Sequence, residues 1–153
     1  MHFIEKKGLL FMKQGSKIGI VCCSTGLRPE QAETIKMLVQ ILEKSGLEVD
    51  LSPYLYGDEN GQAGTARERA GALMKFYEDD SVTDIFDVSG GDMANEILSY
   101  LDFQTIAYEK KHFWGYSDLT TIINAIYART GKSSVLYQIR NLTYDHSQSQ
   151  ITD

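Results

Sequence analysis

The residues that carry the clearest chemical pattern lie where an apolar segment meets two glycines. The segment ends at Ser89, Gly90 and Gly91 follow, and the amphipathic pattern of a helix begins directly after them and continues to Leu98. Hydrolases place Ser or Cys at the tip of such a strand-to-helix turn, beside backbone N–H groups that stabilise an oxyanion. Here the tip carries Met93 and Ala94, and neither side chain can act as a nucleophile.

This segment therefore predicts a nucleophile elbow without its nucleophile. A tight packing turn of an ordinary α/β protein explains Gly90 and Gly91 equally well. Asn95 is explained as well by a capping role at the start of the helix. In the functional interpretation, Gly90, Gly91, Asp92, Met93 and Asn95 form a substrate and oxyanion region, and the N–H groups of the helix remain available to an anion.

A second group of polar residues follows the next apolar segment. Tyr116, Ser117 and Asp118 come directly after Trp114-Gly115, so a parallel sheet would place them beside the elbow, across a shared cleft. The alternative is a strand end with Asp118 as a helix cap. Arg140 follows the fifth apolar segment, and binding a carboxylate and simple solvation explain it about equally well.

Other catalytic and metal-binding patterns are weak. Of the three histidines, His2 and His146 lie near the termini and His112 precedes an apolar segment, so no Ser-His-Asp triad is predicted. Metal-ligand spacing is absent, and no cofactor is expected. The adjacent Cys22 and Cys23 are predicted to be reduced core thiols, and the turn Ser24-Thr25-Gly26 lacks the pattern of a phosphate-binding loop.

The elements that position these residues alternate between strand and helix. This order predicts an α/β fold with a doubly wound, mainly parallel sheet and helices on both faces. Thr65 and Glu68 form a capping box, and Gly46 and Gly131 are placed to end helices. The predicted strands are residues 17–23, 47–51, 83–88, 113–115 and 134–139, and the predicted helices start near Glu30, Thr65, Asp92 and Asp118.

Composition narrows the classes of partner. The net charge of −6 and the pI of about 5.0 disfavour nucleic acid and anionic membrane surfaces. No apolar segment approaches the ~20 residues of a membrane span. We therefore expect a cytoplasmic protein with a small-molecule or protein partner.

Five ordered motifs together closely resemble the LD-carboxypeptidase family of serine peptidases, with the microcin C self-immunity branch as the nearest match. The resemblance runs from about Lys13 to Leu142. The motifs are Ile18-Gly-Ile-Val21, Gly64-Thr-Ala-Arg-Glu-Arg-Ala70, Ser89-Gly-Gly-Asp-Met-Ala-Asn95 with Tyr100-Leu-Asp102, Gly115-Tyr-Ser-Asp118 and Tyr137-Gln-Ile-Arg-Asn-Leu142.

The resemblance implies a flavodoxin-like N-terminal domain and hydrolysis of an amide bond next to a terminal carboxylate, in cell-wall peptides or peptidyl-nucleotide antibiotics. The position of the family's Ser nucleophile corresponds to Ala94. The family takes the Glu and His of its triad from a C-terminal domain, which we expect to be absent, so this form is predicted to be inactive. The alternative is a non-catalytic binding or regulatory module for a peptide or nucleotide carboxylate.

The predicted organisation is a leader or extension at residues 1–12, the family domain at residues 13–142 and a mobile tail at residues 143–153. Family members are dimers, and a missing domain would leave apolar surface at residues 114–116 and 137–142 uncovered. We therefore expect a homodimer.

Overall fold

A computed structural model describes residues 12–144 of the chain. A five-stranded, all-parallel sheet with the order β2-β1-β3-β4-β5 forms its centre. This strand order is that of flavodoxin-like folds, so the predicted fold class is confirmed. The strands are β1 (Lys17–Val21), β2 (Glu48–Leu51), β3 (Val82–Asp87), β4 (His112–Gly115) and β5 (Val135–Leu136).

Between residues 12 and 144, four α-helices and four 3-10 helices connect and flank the strands. The α-helices are α1 (Ala32–Lys44), α2 (Ala66–Glu78), α3 (Phe103–Tyr108) and α4 (Thr120–Thr130), and the 3-10 helices span Pro29–Gln31, Ala94–Tyr100, Ser117–Leu119 and Ile139–Thr143. The predicted capping box is present, because the Thr65 side chain accepts from the Glu68 N–H and the Glu68 carboxylate accepts from the Thr65 N–H. Gly131 ends α4 in the left-handed conformation, as predicted.

The sheet separates two hydrophobic cores. Alternating residues of β1 point to opposite faces, so Ile18 and Ile20 belong to one core and Val21 to the other. The first core lies under α1 and the 3-10 helix Ile139–Thr143, and the second lies under α2, α3, α4 and the 3-10 helix Ala94–Tyr100. Helices on both faces fix the sheet, and loops meet at the carboxyl ends of its strands.

The structure corrects two predictions about the elements. A 3-10 helix, Ala94–Tyr100, follows the two glycines instead of an amphipathic α-helix, and α3 begins only after Asp102, whose carboxylate caps it. The fifth strand is two residues long instead of six, because Ile139 already belongs to a 3-10 helix.

The predicted uncovered apolar surface is also largely closed. Tyr137, Ile139 and Leu142 are buried in the core under α1, and the Trp114 ring stacks on Phe86 with 4.9 Å between ring centroids. Tyr116 and Leu136 remain about half exposed. Helix α1 therefore covers the part of this surface at residues 137–142, which was expected to need a partner.

Most of the predicted leader and tail, residues 1–11 and 145–153, lies outside the described residues. Met12 packs against the core under α1. The last 3-10 helix extends to Thr143, one residue beyond the predicted domain end at residue 142.

Candidate functional site

The candidate site lies at the carboxyl ends of β1 and β3. The connections from these two neighbouring strands leave toward opposite faces of the sheet, since β1 continues through α1 to β2 while β3 leads toward β4. In open α/β sheets, ligands bind at this kind of topological switch point. Ser24 follows β1 there, and Gly90 and Gly91 follow β3.

The two glycines have different structural roles. The Gly90 carbonyl accepts a hydrogen bond from the Thr25 N–H at 3.1 Å, which joins the loops after β1 and β3. Gly91 has a φ of +125°, and a Cβ placed on it would lie 2.0 Å from Thr25 Oγ1. A Cβ on Gly90 would meet nothing closer than 3.9 Å. Gly91 is therefore the position that requires glycine.

The turn after Gly91 differs from a strained elbow. Ser117 is the one non-glycine residue among residues 12–144 with positive φ, at +58°, so Met93 and Ala94 have ordinary backbone conformations. Ala94 is fully buried against the core under α2, whereas Asp92 and Asn95 are exposed. Asn95 does not cap the 3-10 helix, whose first flanking residue is Met93.

Asp118 reaches across to this turn. Its Oδ2 accepts hydrogen bonds from the Ala94 N–H at 2.9 Å and from Ser24 Oγ at 2.5 Å. Ser24 Oγ in turn accepts from the Met93 N–H at 3.2 Å. The structure thus brings the two predicted segments together, but Asp118 does not cap its own helix.

These contacts correct the expectation that the N–H groups at the start of the helix are free for an anion. The Met93 and Ala94 N–H groups already have acceptors in Ser24 and Asp118. The exposed Asn95 follows them as the second residue of the 3-10 helix Ala94–Tyr100.

A buried arginine supports the same turn from the other side. Arg69 is 1% exposed. Its guanidinium donates to the carbonyls of Cys23, Gly64 and Met93 at 3.4, 2.9 and 3.4 Å and forms an ion pair with Glu96 at 2.8 Å. Burying a guanidinium is tolerated when its donors are used in this way.

Asp87 joins the ends of β1 and β3. Its fully buried carboxylate accepts from the Cys23 N–H and the Ser89 N–H, both at 2.7 Å, and from Ser89 Oγ at 2.5 Å. Burial raises the pKa of Asp87, and the hydrogen bonds from Ser89 and Cys23 oppose that shift. Ser89 Oγ also accepts from the Ser24 N–H, so the Asp87 network leads directly into the site.

The sequence did not indicate Ser24, Arg69, Asp87 or Ser89 as site residues. Ser24 lies in a predicted turn, and Arg69 is one charge among several in an amphipathic helix. The signal that could have found Ser24 and Ser89 is their position at the carboxyl ends of the two strands that flank the switch point. No local pattern distinguishes the buried Arg69 from the exposed Arg67.

Two further predicted residues lie near the same edge. Arg140 follows β5 in the 3-10 helix Ile139–Thr143, and its buried Nε has no hydrogen-bond partner among the described residues. Gln138 connects this helix to the turn, because its side-chain amide donates to the Ser89 carbonyl at 3.4 Å. Tyr116 is half exposed beside the site.

Other catalytic or metal-binding groups are not found at this edge. His112 starts β4 at the opposite end of the sheet and lies 3.7 Å from Asp84, and His2 and His146 lie outside the described residues. Between residues 12 and 144, no three His, Cys, Asp or Glu side chains are grouped as metal ligands. Across the same residues, none of the helices has the length and apolar character needed to span a bilayer.

Comparisons with known proteins identify the family. Residues 18–137 match the model of the LD-carboxypeptidase N-terminal domain. A probable murein peptide carboxypeptidase of Bacillus subtilis is 31% identical over 120 residues, which are 78% of this chain and 37% of that protein. The chain thus spans just over a third of the length of this relative.

Solved structures agree. The MccF-like protein from Bacillus anthracis superposes with a TM-score of 0.81 at 28% identity, over 88% of this chain and 41% of that one. The microcin C7 self-immunity protein MccF in complex with aspartyl sulfamoyl adenosine gives 0.70 at 28% identity, over 78% and 36%. The chain belongs to the LD-carboxypeptidase family and carries its N-terminal domain.

Proposed function

We propose that this chain forms the N-terminal part of an LD-carboxypeptidase-type substrate site and does not itself cleave the substrate. The observation that carries the proposal is the residue at position 94, an alanine at the start of the helix after Gly90-Gly91. The resemblance implies that this position is that of the family's nucleophile. A methyl group cannot attack a carbonyl, so the covalent step has no starting atom here.

The neighbouring serines Ser24 and Ser117 have no imidazole base close to them within residues 12–144. Ser24 is fully buried, and its Oγ–H is directed at Asp118. Ser117 is exposed, but within residues 12–144 the only imidazole is that of His112, at the far end of β4. A serine without a general base is a weak nucleophile at neutral pH.

The proposed ligand is a small peptide or peptidyl-nucleotide with a free carboxylate. Support comes from Arg140, whose buried Nε has no partner and whose guanidinium geometry suits bidentate carboxylate binding. The complex of MccF with aspartyl sulfamoyl adenosine supports the same ligand class.

The test combines a turnover assay with a binding measurement. The full chain is incubated with an L,D-linked tetrapeptide, and release of the terminal residue is followed by mass spectrometry. Binding of the tetrapeptide and of aspartyl sulfamoyl adenosine is measured by calorimetry for the unchanged chain and for Arg140→Lys, with Arg129→Lys on the exposed face of α4 as the matched control.

Weaker binding by Arg140→Lys alone, without turnover, supports the proposal. Saturable turnover by a contaminant-free preparation contradicts the inactivity, and failure to bind either compound contradicts the ligand class.

The second candidate is a self-standing binding or regulatory module. The observation that favours it is that Met93 and Ala94 already direct their N–H groups to side chains of this chain, so the turn is complete without a reacting group. The measurement that separates the two candidates is the affinity for other carboxylate-bearing peptides. If these peptides bind as tightly as the L,D-linked tetrapeptide and aspartyl sulfamoyl adenosine, this alternative is favoured.

We also propose that the chain is cytoplasmic and forms a homodimer, without nucleic acid or membrane partners. Two reduced cysteines and a net charge of −6 support the compartment and the partner classes. The exposed Leu136 on edge strand β5 and the exposed Tyr116 support self-association. Sedimentation equilibrium at micromolar concentration tests the dimer, and a monomer at all concentrations contradicts it.

A further inference from the structure

A cavity of about 620 Å³ lies at the amino ends of β3 and β4, at the end of the sheet opposite to the candidate site. Asp80, Val82 and Thr83 line one wall, in the turn after α2 and at the start of β3. Residues 108–112, which connect α3 to β4, line the other wall. Cavities of this size hold small organic ligands.

Lys111 places a buried ammonium group in the second wall, with a side chain that is 5% exposed. Its Nζ donates to the Tyr77 carbonyl near the end of α2 and forms an ion pair with Glu109 at 3.2 Å. An ammonium group has three N–H donors, so the third has no partner among residues 12–144. Buried donors are normally hydrogen-bonded. The cavity therefore offers a donor that an oxygen atom of a ligand can use.

The two residues that flank Lys111 add donors at the mouth of the cavity. Lys110 is exposed, and the His112 side chain is more than half exposed. Of the two acids in the lining, Glu109 is engaged by Lys111, which leaves Asp80 as the exposed acid on the opposite wall. The wall at the start of β4 therefore presents its unused donors to an oxyanion.

Tyr108, the last residue of α3, adds an aromatic surface to the same wall. It is 85% exposed, whereas Tyr77, at the end of the neighbouring helix α2, is buried. An aromatic ring that borders a cavity with its surface uncovered can stack on a planar group of a ligand. The ring of Tyr108 lies three residues along the chain from the ammonium group of Lys111, so both can contact one small molecule.

We propose that this cavity is a binding site for a small ligand in which a planar ring carries an oxyanion. The ring stacks on Tyr108, and the oxyanion accepts from Lys110 and from the third donor of Lys111. Both a phosphate and a carboxylate supply the oxygen atoms that these donors need. The site goes beyond the proposed function and does not depend on it, because no residue at the carboxyl ends of the strands takes part.

Titrations of the full ¹⁵N-labelled chain, followed by NMR, test the proposal with four probes. Phenyl phosphate and benzoate carry both the ring and the oxyanion, and they distinguish a phosphate ligand from a carboxylate ligand. Benzyl alcohol carries the ring alone, and inorganic phosphate carries the oxyanion alone. We expect phenyl phosphate or benzoate to shift the amide resonances of residues 80–83 and 108–112 at millimolar concentration, and to bind more tightly than either single-group probe.

Variants at exposed positions identify the groups that bind. Tyr108→Ala should weaken binding of the better probe about fivefold, because a stacked aromatic pair is lost. Lys110→Gln should weaken it about threefold, as expected for an exposed charge pair. Lys44→Gln removes an exposed charge from α1 and should leave the affinity unchanged as the matched control.

Lys111→Gln tests the buried donor. It should weaken binding at least about tenfold, because a hydrogen bond from a charged group is lost. Since Lys111 also contacts α2, circular dichroism checks the fold of this variant, and the two exposed variants decide the outcome if it unfolds.

Three results would overturn the proposal. The first is the absence of shifts at residues 80–83 and 108–112 with both two-group probes, including the case in which only amides at the carboxyl edge, such as those of Ser24 and Ser117, respond. The second is equal affinity for the two-group probes and for benzyl alcohol or inorganic phosphate. The third is unchanged affinity in both Tyr108→Ala and Lys110→Gln. Failure of the tetrapeptide to bind at the carboxyl edge would contradict the proposed function and leave this site unaffected.

Discussion

At the scale of single residues, the site is defined by what stands at positions 94, 117 and 118. The sequence indicated all three, because the motif spacing placed them after β3 and β4. The sequence could not indicate their contacts, because the hydrogen bond from Ala94 to Asp118 joins residues that are 24 positions apart. This bond forms because the parallel pairing of β3 and β4 brings the ends of both strands to one edge of the sheet. The chemical consequence is that Asp118 serves the neighbouring turn and not its own helix.

A hydroxyl group introduced at position 94 should not produce catalysis. We expect Ala94→Ser to give no detectable release of the terminal residue from an L,D-linked tetrapeptide, because no imidazole lies near position 94 in the described part of the chain. Removing the base of a catalytic triad alone lowers turnover by orders of magnitude. Mass spectrometry of the reaction checks this, and turnover that saturates with substrate and is absent from the parent chain would refute it.

The backbone at Ser117 gives a prediction for stability. Ser117→Gly should leave the free energy of unfolding unchanged or raise it by up to about 1 kcal/mol, since glycine adopts positive φ without steric cost. Ser117→Val should lower it by about 2 kcal/mol, because a β-branched residue is strongly disfavoured there. Urea unfolding measures both.

Gly131→Ala provides the comparison for that measurement. Gly131 also has positive φ, at +73°, but a Cβ would meet nothing within 4 Å. The loss of unfolding free energy in Gly131→Ala therefore reports only the cost of placing a Cβ on a backbone with positive φ, about 1 kcal/mol. If Ser117→Val costs no more than this, the left-handed conformation of Ser117 is not under strain.

At the scale of elements, the sequence predicted the parts that depend on local signals. The capping box at Thr65 and the glycine end of α4 follow from side-chain and backbone chemistry within a few residues. The 3-10 helix after the glycines did not follow, because its geometry depends on Asp118 and Arg69 from other elements. The short β5 also depends on context, since Ile139 is taken into the core under α1.

Gly90 and Gly91, in the turn after β3, should respond differently to the same substitution. Gly91→Ala should lower the free energy of unfolding by about 3 kcal/mol. This loss combines the cost of an alanine with positive φ and the cost of a clash between its Cβ and the Thr25 side chain. Gly90→Ala should cost less than about 1 kcal/mol, because its Cβ has room. Urea unfolding of the two variants measures the difference, and equal losses would contradict the geometry of the turn.

At the scale of the whole molecule, the site depends on two cores that meet across one sheet. The α/β alternation was sufficient to predict that sheet, because strand-helix-strand connections allow few topologies. Partner surfaces were harder to predict. The apolar surface at residues 137–142 is expected from the sequence to be uncovered, yet α1 covers it. The adjacent cysteines at the end of β1 belong one to each core, so their thiols report on the integrity of both.

Thiol labelling should therefore follow global unfolding. Cys22 and Cys23 are free and buried, and burial raises the pKa of both thiols, that of Cys22 from 9.0 to about 12. The reactive form is the thiolate, so a thiol reagent at pH 8 should modify both cysteines at the rate at which the chain unfolds. Rapid modification of either cysteine in the folded chain, while the circular dichroism spectrum is unchanged, would contradict the burial.

The same shifts predict a loss of stability in alkaline solution. An acid whose pKa is higher in the folded state stabilises the fold while it is protonated, and this contribution is lost once the unfolded chain begins to ionise. For Cys22 the loss should begin near pH 9 and continue to about pH 12. Burial also raises the pKa of Tyr77, which therefore acts in the same direction.

Replacing Cys22 by alanine should reduce the slope of the unfolding free energy against pH between pH 9 and 11 without removing it. Met37→Ala, at an exposed position of α1, serves as the control. A slope that is identical in both variants would show that the Cys22 thiol does not ionise differently in the folded and unfolded states.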